Sequence, residues 1–214
     1  MGIRQYQCGR KNCLLAVVCK GTGGTEAGEQ AGSFTVNGLL SSLEPFIRKG
    51  GFRRRDVKHY FFRKICQIHM RIADCFGRQE ICTGTSLSMA LLLNRRVYLF
   101  YTENSRIYAG IRHLRLQTSV HGKKRKRSRA LGTGPFYPPC FKTLPFVPGE
   151  KLLLCSDGFD RNAGNLLSTL CRDYRKESDI RHDLLKIYRA ARKKGERDSA
   201  AAVLICGKRG GKNE

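Results

Sequence analysis

KLLLCSDGF, residues 151–159, is the stretch of sequence around which the rest of the chain is organised. Four consecutive apolar residues, 152–155, run directly into Ser156, Asp157 and Gly158. A short unbroken apolar run is typical of a strand buried on both faces, and an acid–glycine pair is typical of the turn after it. Most such pairs form only a turn. The pattern predicts the Asp157 carboxylate at the rim of a core, and a site only if other residues converge on it.

The net charge of +24 at pH 7 is the strongest feature of the composition. It predicts attraction to anionic partners such as nucleic acid, a membrane surface, or acidic or phosphorylated protein. The densest basic run, at residues 123–129, is interpreted either as a solvated loop or as a patch that binds an anionic partner. Its basic residues are Lys123, Lys124, Arg125, Lys126, Arg127 and Arg129.

The length of 214 residues suits one domain with its own core, and no linker-like stretch divides it. We therefore predict a single domain over residues 1–208 and a mobile tail at 209–214. No apolar run could cross a membrane and no secretory signal is visible, which predicts a cytoplasmic protein without a membrane partner. The ten cysteines are interpreted as reduced, mostly buried thiols, because several stand in apolar runs and none forms a Cys-x-x-Cys pair.

Apolar periodicity predicts an α+β protein in which helices cover strands that pair mainly with each other. The predicted strands lie at residues 13–19, 83–93, 96–101, 106–108, 114–117, 152–155 and 199–206, with a hairpin turn at Asn94 and Arg95. The predicted helices lie at residues 26–47, 57–75, 165–174 and 178–193. Pro45 should bend or end the first helix, Asp56 should cap the second, and His59 and His69 should lie on or near the surface of the second.

A second acid, Asp198, stands just before the last predicted strand. If that strand and the strand at 152–155 are neighbours in one sheet, Asp198 and Asp157 lie at the same edge. Gly21, from the glycine-rich loop after the first strand, can join them there. Two acids and a glycine loop at one rim suggest a site for hard cations, which bind oxygen ligands.

Six short motifs occur in a single order along the chain. They are residues 13–28 (CLLAVVCKGTGGTEAG), Thr83-Gly84-Thr85, Glu103-Asn104-Ser105-Arg106, Ala130-Leu131-Gly132, residues 148–159, and Arg197-Asp198-Ser199. In that order they resemble motifs of the metal-dependent type 2C (PPM) Ser/Thr protein phosphatases. The family motifs are the Asp-Gly-x-Gly-Gly loop, the Thr-Gly-Thr-Thr strand opening, the Gly-Asp-Ser-Arg turn, the Ala-Leu-Gly segment, the Pro-Gly-Asp strand with Ser-Asp-Gly, and the Arg-Asp-Asn motif.

The resemblance implies a two-sheet antiparallel β-sandwich flanked by helices on both faces, an α-β-β-α arrangement. It also implies two Mn²⁺ or Mg²⁺ ions at one edge, which activate a water for attack on phosphoserine or phosphothreonine. Carried over by position, Asp157, Asp198 and the carbonyl of Gly21 would be metal ligands. Arg4, at about the right distance before the first strand, would be the phosphate-binding arginine.

The departures from the family pattern concern the same site. Lys20 stands at the position of the aspartate that bridges the two metals, so an ammonium replaces a carboxylate. Asn104 replaces the aspartate associated with a third metal in bacterial members, and Ser199 replaces the last motif's asparagine. Between Leu116 and Arg129 the chain is also much shorter than the family's usual flap region. Our hypothesis is that Lys20 takes the place of metal and pairs with Asp157 and Asp198.

Three functions are consistent with these observations. The first is a weak phosphatase that keeps a reduced site for Mn or Mg, and the second is a pseudophosphatase that needs no metal and binds a phosphoprotein or acidic protein. The third is nucleic-acid binding through residues 123–129 and the global charge. It ranks after the other two, because base-reading motifs and tryptophans for stacking are absent from the sequence.

Overall fold

The computed structural model describes residues 1–8, 11–22, 25–50, 53–76, 83–102, 104–118, 130–161, 163–195 and 198–207. Its strands are β1 (Gly2–Cys8), β2 (Lys11–Gly21), β3 (Thr85–Leu93), β4 (Arg96–Tyr101), β5 (Arg106–Gly110), β6 (Arg115–Leu116), β7 (Cys140–Pro145), β8 (Lys151–Cys155) and β9 (Ala202–Cys206). Its helices are α1 (Glu26–Ser41), α2 (Leu43–Arg48), α3 (Arg54–Phe76), α4 (Asp157–Asp160), a 3₁₀ helix (Gly164–Cys171) and α5 (Glu177–Lys193). The predicted tail at 209–214 lies outside these residues.

The strands form two antiparallel sheets that face each other. The first sheet has the order β1-β2-β3-β4-β7 and the second has the order β6-β5-β8-β9. Because side chains alternate along a strand, Leu152 and Leu154 of β8 face the first sheet, whereas Leu153 and Cys155 face the helices on the other side. All five residues of β8 are buried, which is why its sequence is an unbroken apolar run after Lys151.

Helices cover the outer face of each sheet. The first sheet packs against α1, α2 and α3 through a core that includes Leu39 of α1 and Phe61 of α3. The second sheet packs against the 3₁₀ helix and α5 through Leu170 and Ile187. The layers therefore run helix, sheet, sheet, helix, and the predicted α-β-β-α sandwich is confirmed. Among the described helices, none is long and apolar enough to cross a membrane.

The ends of the helices differ in detail from the prediction. The first predicted helix breaks at Ser42, whose hydroxyl donates to the Leu39 carbonyl, so Pro45 falls in the first turn of α2. Proline is tolerated there because the first-turn N–H groups have no partner within the helix. Helix α3 begins at Arg54, which places Asp56 inside its first turn and not at the cap. His69 is buried, with 3% of its surface exposed, and not near the surface as expected.

The connections between strands also differ. Short connections between the strands predicted at residues 83–117 favour one antiparallel meander, but β4 belongs to the first sheet and β5 to the second. Thr102 fixes the crossing, because its N–H donates to the Leu87 carbonyl at 3.0 Å and its hydroxyl accepts from the Leu87 N–H at 2.9 Å. The predicted hairpin at Asn94 and Arg95 is confirmed, and both residues have the positive φ angles, 51° and 59°, that a tight turn requires.

Candidate functional site

The pairing of β8 with β9 brings Asp157 and Asp198 to one edge of the second sheet. The two strands are neighbours, as predicted, and Ser156 extends their pairing: its N–H donates to the Ala201 carbonyl at 2.9 Å and its hydroxyl accepts from the Ala201 N–H at 3.0 Å. Gly158 lets the two acidic segments approach, because a Cβ at that position would lie 3.0 Å from the Cβ of Asp198. Asp157 therefore starts helix α4 directly against the segment that carries Asp198.

Lys20 reaches this edge from the first sheet. It is the penultimate residue of β2 and pairs with Ser86 of β3. Its Nζ donates to Asp157 Oδ1 at 2.7 Å and to Asp198 Oδ2 at 2.9 Å. The contact that we predicted between this ammonium and the two aspartates is present. Lys20 belongs to the first sheet, whereas Asp157 follows β8 and Asp198 precedes β9 of the second sheet, so the ion pairs join the two halves of the sandwich.

Arg161 supplies a second cation that the sequence analysis missed. Its Nη2 lies 3.1 Å from Asp157 Oδ2 and its Nη1 lies 3.5 Å from Asp198 Oδ2. The sequence feature that could have predicted this contact is the spacing of four residues between Asp157 and Arg161, which places the two side chains on the same side of a helix. Lys20, Arg161, Asp157 and Asp198 form a set of two cations and two anions, called the four-charge cluster below.

The electrostatics of the cluster favour the charged forms of Lys20 and Asp198. Partial burial lowers the pKa of the Lys20 ammonium, but its hydrogen bonds to Asp157 and Asp198 and their negative charges outweigh burial, so the pKa is raised overall. The hydrogen bond from Lys20 and then its positive charge lower the pKa of Asp198. Lys20, Asp157 and Asp198 are 24%, 23% and 45% exposed, so the cluster is half-buried and not sealed from water.

Three members of the cluster, Lys20, Asp157 and Asp198, line a cavity of about 760 Å³. The cavity is lined by all of the predicted metal-site and degenerate-site positions, namely Lys20, Gly21, Asn104, Asp157, Asp198 and Ser199. Gly21 is required for packing, since a Cβ there would lie 2.3 Å from backbone atoms of Gly28 in α1. Burial raises the pKa of the Cys19 thiol, which also lines the cavity, to about 12, so no thiolate nucleophile is available there at neutral pH.

One further predicted residue, Arg4, does not reach the cluster. Arg4 lies within strand β1 and not before the first strand, because residues 2–8 form a hairpin with β2. It pairs with Leu15, five residues from Lys20 along β2, and its Nη1 donates to the Leu40 carbonyl at 3.4 Å. The structure therefore does not bring Arg4 to the cavity. The basic run at 123–129 lies outside the described residues.

The described residues do not fit a two-metal centre. No three His, Cys, Asp or Glu side chains are grouped so that they could hold a metal ion in the part of the chain that the structure describes. The acids that line the cavity are Asp157, Asp198 and Glu29 of α1, and both aspartates accept a hydrogen bond from Lys20. Divalent cations are held by several oxygen ligands, and an ammonium between two carboxylates repels such an ion.

Comparisons with known proteins identify the fold. No family model and no curated protein sequence matches the chain. The S. agalactiae serine/threonine phosphatase structure matches with a TM-score of 0.79 and 18% identity, over 97% of this chain and 92% of that one. The M. tuberculosis serine/threonine phosphatase PstP/Ppp matches with a TM-score of 0.68 and 22% identity, over 96% and 92%.

A third match is the catalytic domain of the serine/threonine protein phosphatase PstP in complex with two manganese ions. Its TM-score is 0.65 at 20% identity, over 95% of this chain and 91% of that one. The chain thus spans almost the full length of these structures. It has the PPM-type fold of the bacterial serine/threonine phosphatases, as its motifs predicted.

Proposed function

We propose that this chain is a phosphatase-like protein that binds a phosphorylated or acidic protein and hydrolyses phosphomonoesters weakly or not at all. The observation that carries the proposal is the position of Lys20 Nζ, 2.7 Å from Asp157 and 2.9 Å from Asp198. In this proposal the ammonium replaces the metal charge that would otherwise hold the two carboxylates together. Without a metal-bound water the site has no strong nucleophile at neutral pH.

The partner is inferred from the fold and the charge. The solved structures with this fold are described as serine/threonine phosphatases, and a site derived from that fold would bind the same kind of phosphorylated segment. The net charge of +24 favours an acidic or phosphorylated partner through long-range attraction. The described cysteines are free thiols, which suits a reducing compartment such as the cytoplasm.

Manganese titration tests the proposal directly. Binding of Mn²⁺ is measured by calorimetry on the purified chain, and turnover is measured with p-nitrophenyl phosphate across the same concentrations. We expect no saturable Mn²⁺ binding in the micromolar range and no Mn²⁺-dependent turnover. Saturable activity comparable to that of the PstP catalytic domain, assayed in parallel, would overturn the proposal.

Two substitutions of Lys20 separate the loss of a cation from the gain of a ligand. Lys20→Asp places a third carboxylate beside those of Asp157 and Asp198 and should produce measurable Mn²⁺ binding. Lys20→Gln removes the ammonium without adding a carboxylate and should bind Mn²⁺ much more weakly than Lys20→Asp. Equal Mn²⁺ binding by wild type and Lys20→Asp would show that the lysine does not occupy the metal position.

A further inference from the structure

A second charged surface lies at the other end of the first sheet. It consists of Arg53, Arg54, Arg55 and Lys58 at the start of α3, together with Arg96 at the start of β4, and is called the α3 basic surface below. All five side chains are exposed. Of the described carboxylates, none lies within 4 Å of any of them, whereas Arg48 in the neighbouring α2 pairs with Glu44 at 2.6 Å.

The surface is built on a rigid aromatic base. The Nε of Arg54 donates to the hydroxyl of Thr143 in β7 at 3.2 Å, and its guanidinium lies 5.5 Å from the ring centre of Phe141. The ammonium of Lys58 lies 5.4 Å and 5.8 Å from the ring centres of Phe62 and Phe141. Contacts between cations and aromatic rings fix the position of a side chain without neutralising its charge.

The pairing of β4 with β7 brings Arg96 to the same surface. Arg96 pairs with Pro145, and Tyr98 pairs with Thr143, the residue that contacts Arg54. Residues two apart on a strand share a face, so Arg96 projects on the side of the sheet that carries α3. Diagonal neighbours on paired strands are about 7–8 Å apart, which is within reach of an arginine side chain.

The placement of these charges opposes local folding preferences. Residues 45–73 contain nine Lys and Arg residues but one acid, Asp56. The N-terminal turn of a helix carries a partial positive charge, which favours acids and disfavours arginines such as Arg54 and Arg55. Residues that break a local rule are expected at functional positions. Arg54 gains contacts with Thr143 and Phe141, but its charge stays available, and we interpret the arginines as selected for an anionic partner.

The surface is independent of the four-charge cluster. Lys20 pairs with Ser86 near the start of β3, whereas Arg96 pairs with Leu93 at the end of β3. The strand has nine residues, and a rise of about 3.3 Å per residue separates its two ends by about 26 Å. The cavity and the α3 basic surface share no residue, so this inference does not depend on the proposed function.

We propose that the α3 basic surface binds the sugar-phosphate backbone of nucleic acid. Four of its five cations are arginines, whose planar guanidinium groups bind phosphate oxygens through two parallel hydrogen bonds. Its aromatic rings, Phe62 and Phe141, lie half-buried beneath the cations and are not exposed for insertion into lipid. A sequence pI of about 10.1, with Lys and Arg clustered on one surface, is the charge pattern of backbone binding.

The test measures binding of a fluorescein-labelled DNA duplex of about 20 base pairs by anisotropy, over a range of NaCl concentrations. The test variant carries Arg53→Gln, Arg54→Gln and Arg55→Gln. The matched control carries Lys186→Gln, Arg189→Gln and Lys193→Gln, which remove the same charge from exposed positions on α5. We expect the test variant to bind about tenfold more weakly, with a salt slope smaller by about two to three, and the control to change less than about threefold.

The following binding results would overturn the proposal. Equal losses in the two triple variants would mean that global charge alone attracts the duplex. If a polyglutamate peptide bound as tightly as the duplex, the surface would be assigned to an acidic protein partner. If vesicles containing phosphatidylserine bound as tightly as the duplex, it would be assigned to a membrane partner. If the α3 triple variant fails to fold, as judged by circular dichroism, Arg96→Gln replaces it. Arg96 lies on the hairpin of β3 and β4 and not on α3, and its substitution alone should lower the salt slope by about one.

Discussion

Lys20 joins two acidic segments that come from a different sheet, so its removal has a local cost that the structure defines. Lys20→Met keeps the length of the side chain but leaves Asp157 and Asp198 without the ammonium between them. We expect the free energy of unfolding to fall by about 1–2 kcal/mol, less than the 3–5 kcal/mol typical of a fully buried pair, because this cluster is half-exposed. Urea denaturation followed by circular dichroism measures the change.

A matched background isolates the ion pairs from the packing of the side chain. In a protein that carries Asp157→Asn and Asp198→Asn, Lys20→Met no longer breaks a charge pair, so it should change the free energy of unfolding by less than about 0.5 kcal/mol. An equal loss in both backgrounds would show that the methylene groups of Lys20, and not its charge, stabilise the edge of the sandwich.

Residue identities in the cluster were predictable to different degrees. Lys20, Asp157 and Asp198 could be placed together because each occupies a motif position next to a strand. Arg161 could not be placed there, because the acid–glycine pair predicts a turn after β8. The structure has the short helix α4 at this position, and this helix brings the Arg161 side chain to the cluster. Arg4 was placed by its distance along the chain, but the hairpin of β1 with β2 carries it away from the edge.

At the scale of elements, α3 contains a buried histidine whose protonation opposes folding. The Nδ1 of His69 accepts a hydrogen bond from the Gly132 N–H at 3.0 Å, and its ring packs edge-on against Phe136. Burial lowers the pKa of this imidazole below its usual value. A protonated ring could not accept the bond, so the neutral form joins α3 to the segment that follows residue 129.

This arrangement predicts a pH dependence of stability. Because the folded-state pKa of His69 is depressed, the unfolded chain binds more protons just below pH 6.5, and the free energy of unfolding should fall as pH decreases through the folded pKa. His69→Asn keeps an acceptor oxygen but cannot be protonated, so the fall should shrink in that variant. Urea denaturation between pH 7.5 and pH 5 measures both proteins, and identical pH profiles would contradict the role of His69.

Element boundaries show where sequence patterns lose information. The strands β4 and β8 were predicted well because each is a short apolar run between turn residues. The crossing from β4 to β5 was missed, because hydrogen bonds between Thr102 and Leu87 determine it and no local pattern records them. The burial of His69 was missed for a similar reason. Its hydrogen-bond donor, the Gly132 N–H, lies 63 residues away in sequence.

At the scale of the whole molecule, two electrostatic effects oppose each other. The 41 Lys and Arg residues exceed the 17 Asp and Glu residues, and the resulting repulsion disfavours the compact state. Ion pairs such as those of Lys20, Arg106 and Arg172 favour it. Added salt screens both effects, so the direction of the response of the melting temperature shows which one dominates.

We expect repulsion to dominate, because each half-exposed pair contributes about 1 kcal/mol or less while the excess of positive charge acts over the whole surface. The melting temperature should therefore rise between low and moderate NaCl, by about 2–4 °C for each kcal/mol of repulsion removed. Lys186→Glu, Arg189→Glu and Lys193→Glu lower the excess of positive charge on α5 and should reduce this rise. A melting temperature that falls with salt would mean that specific pairs, above all the four-charge cluster between the sheets, outweigh the net charge.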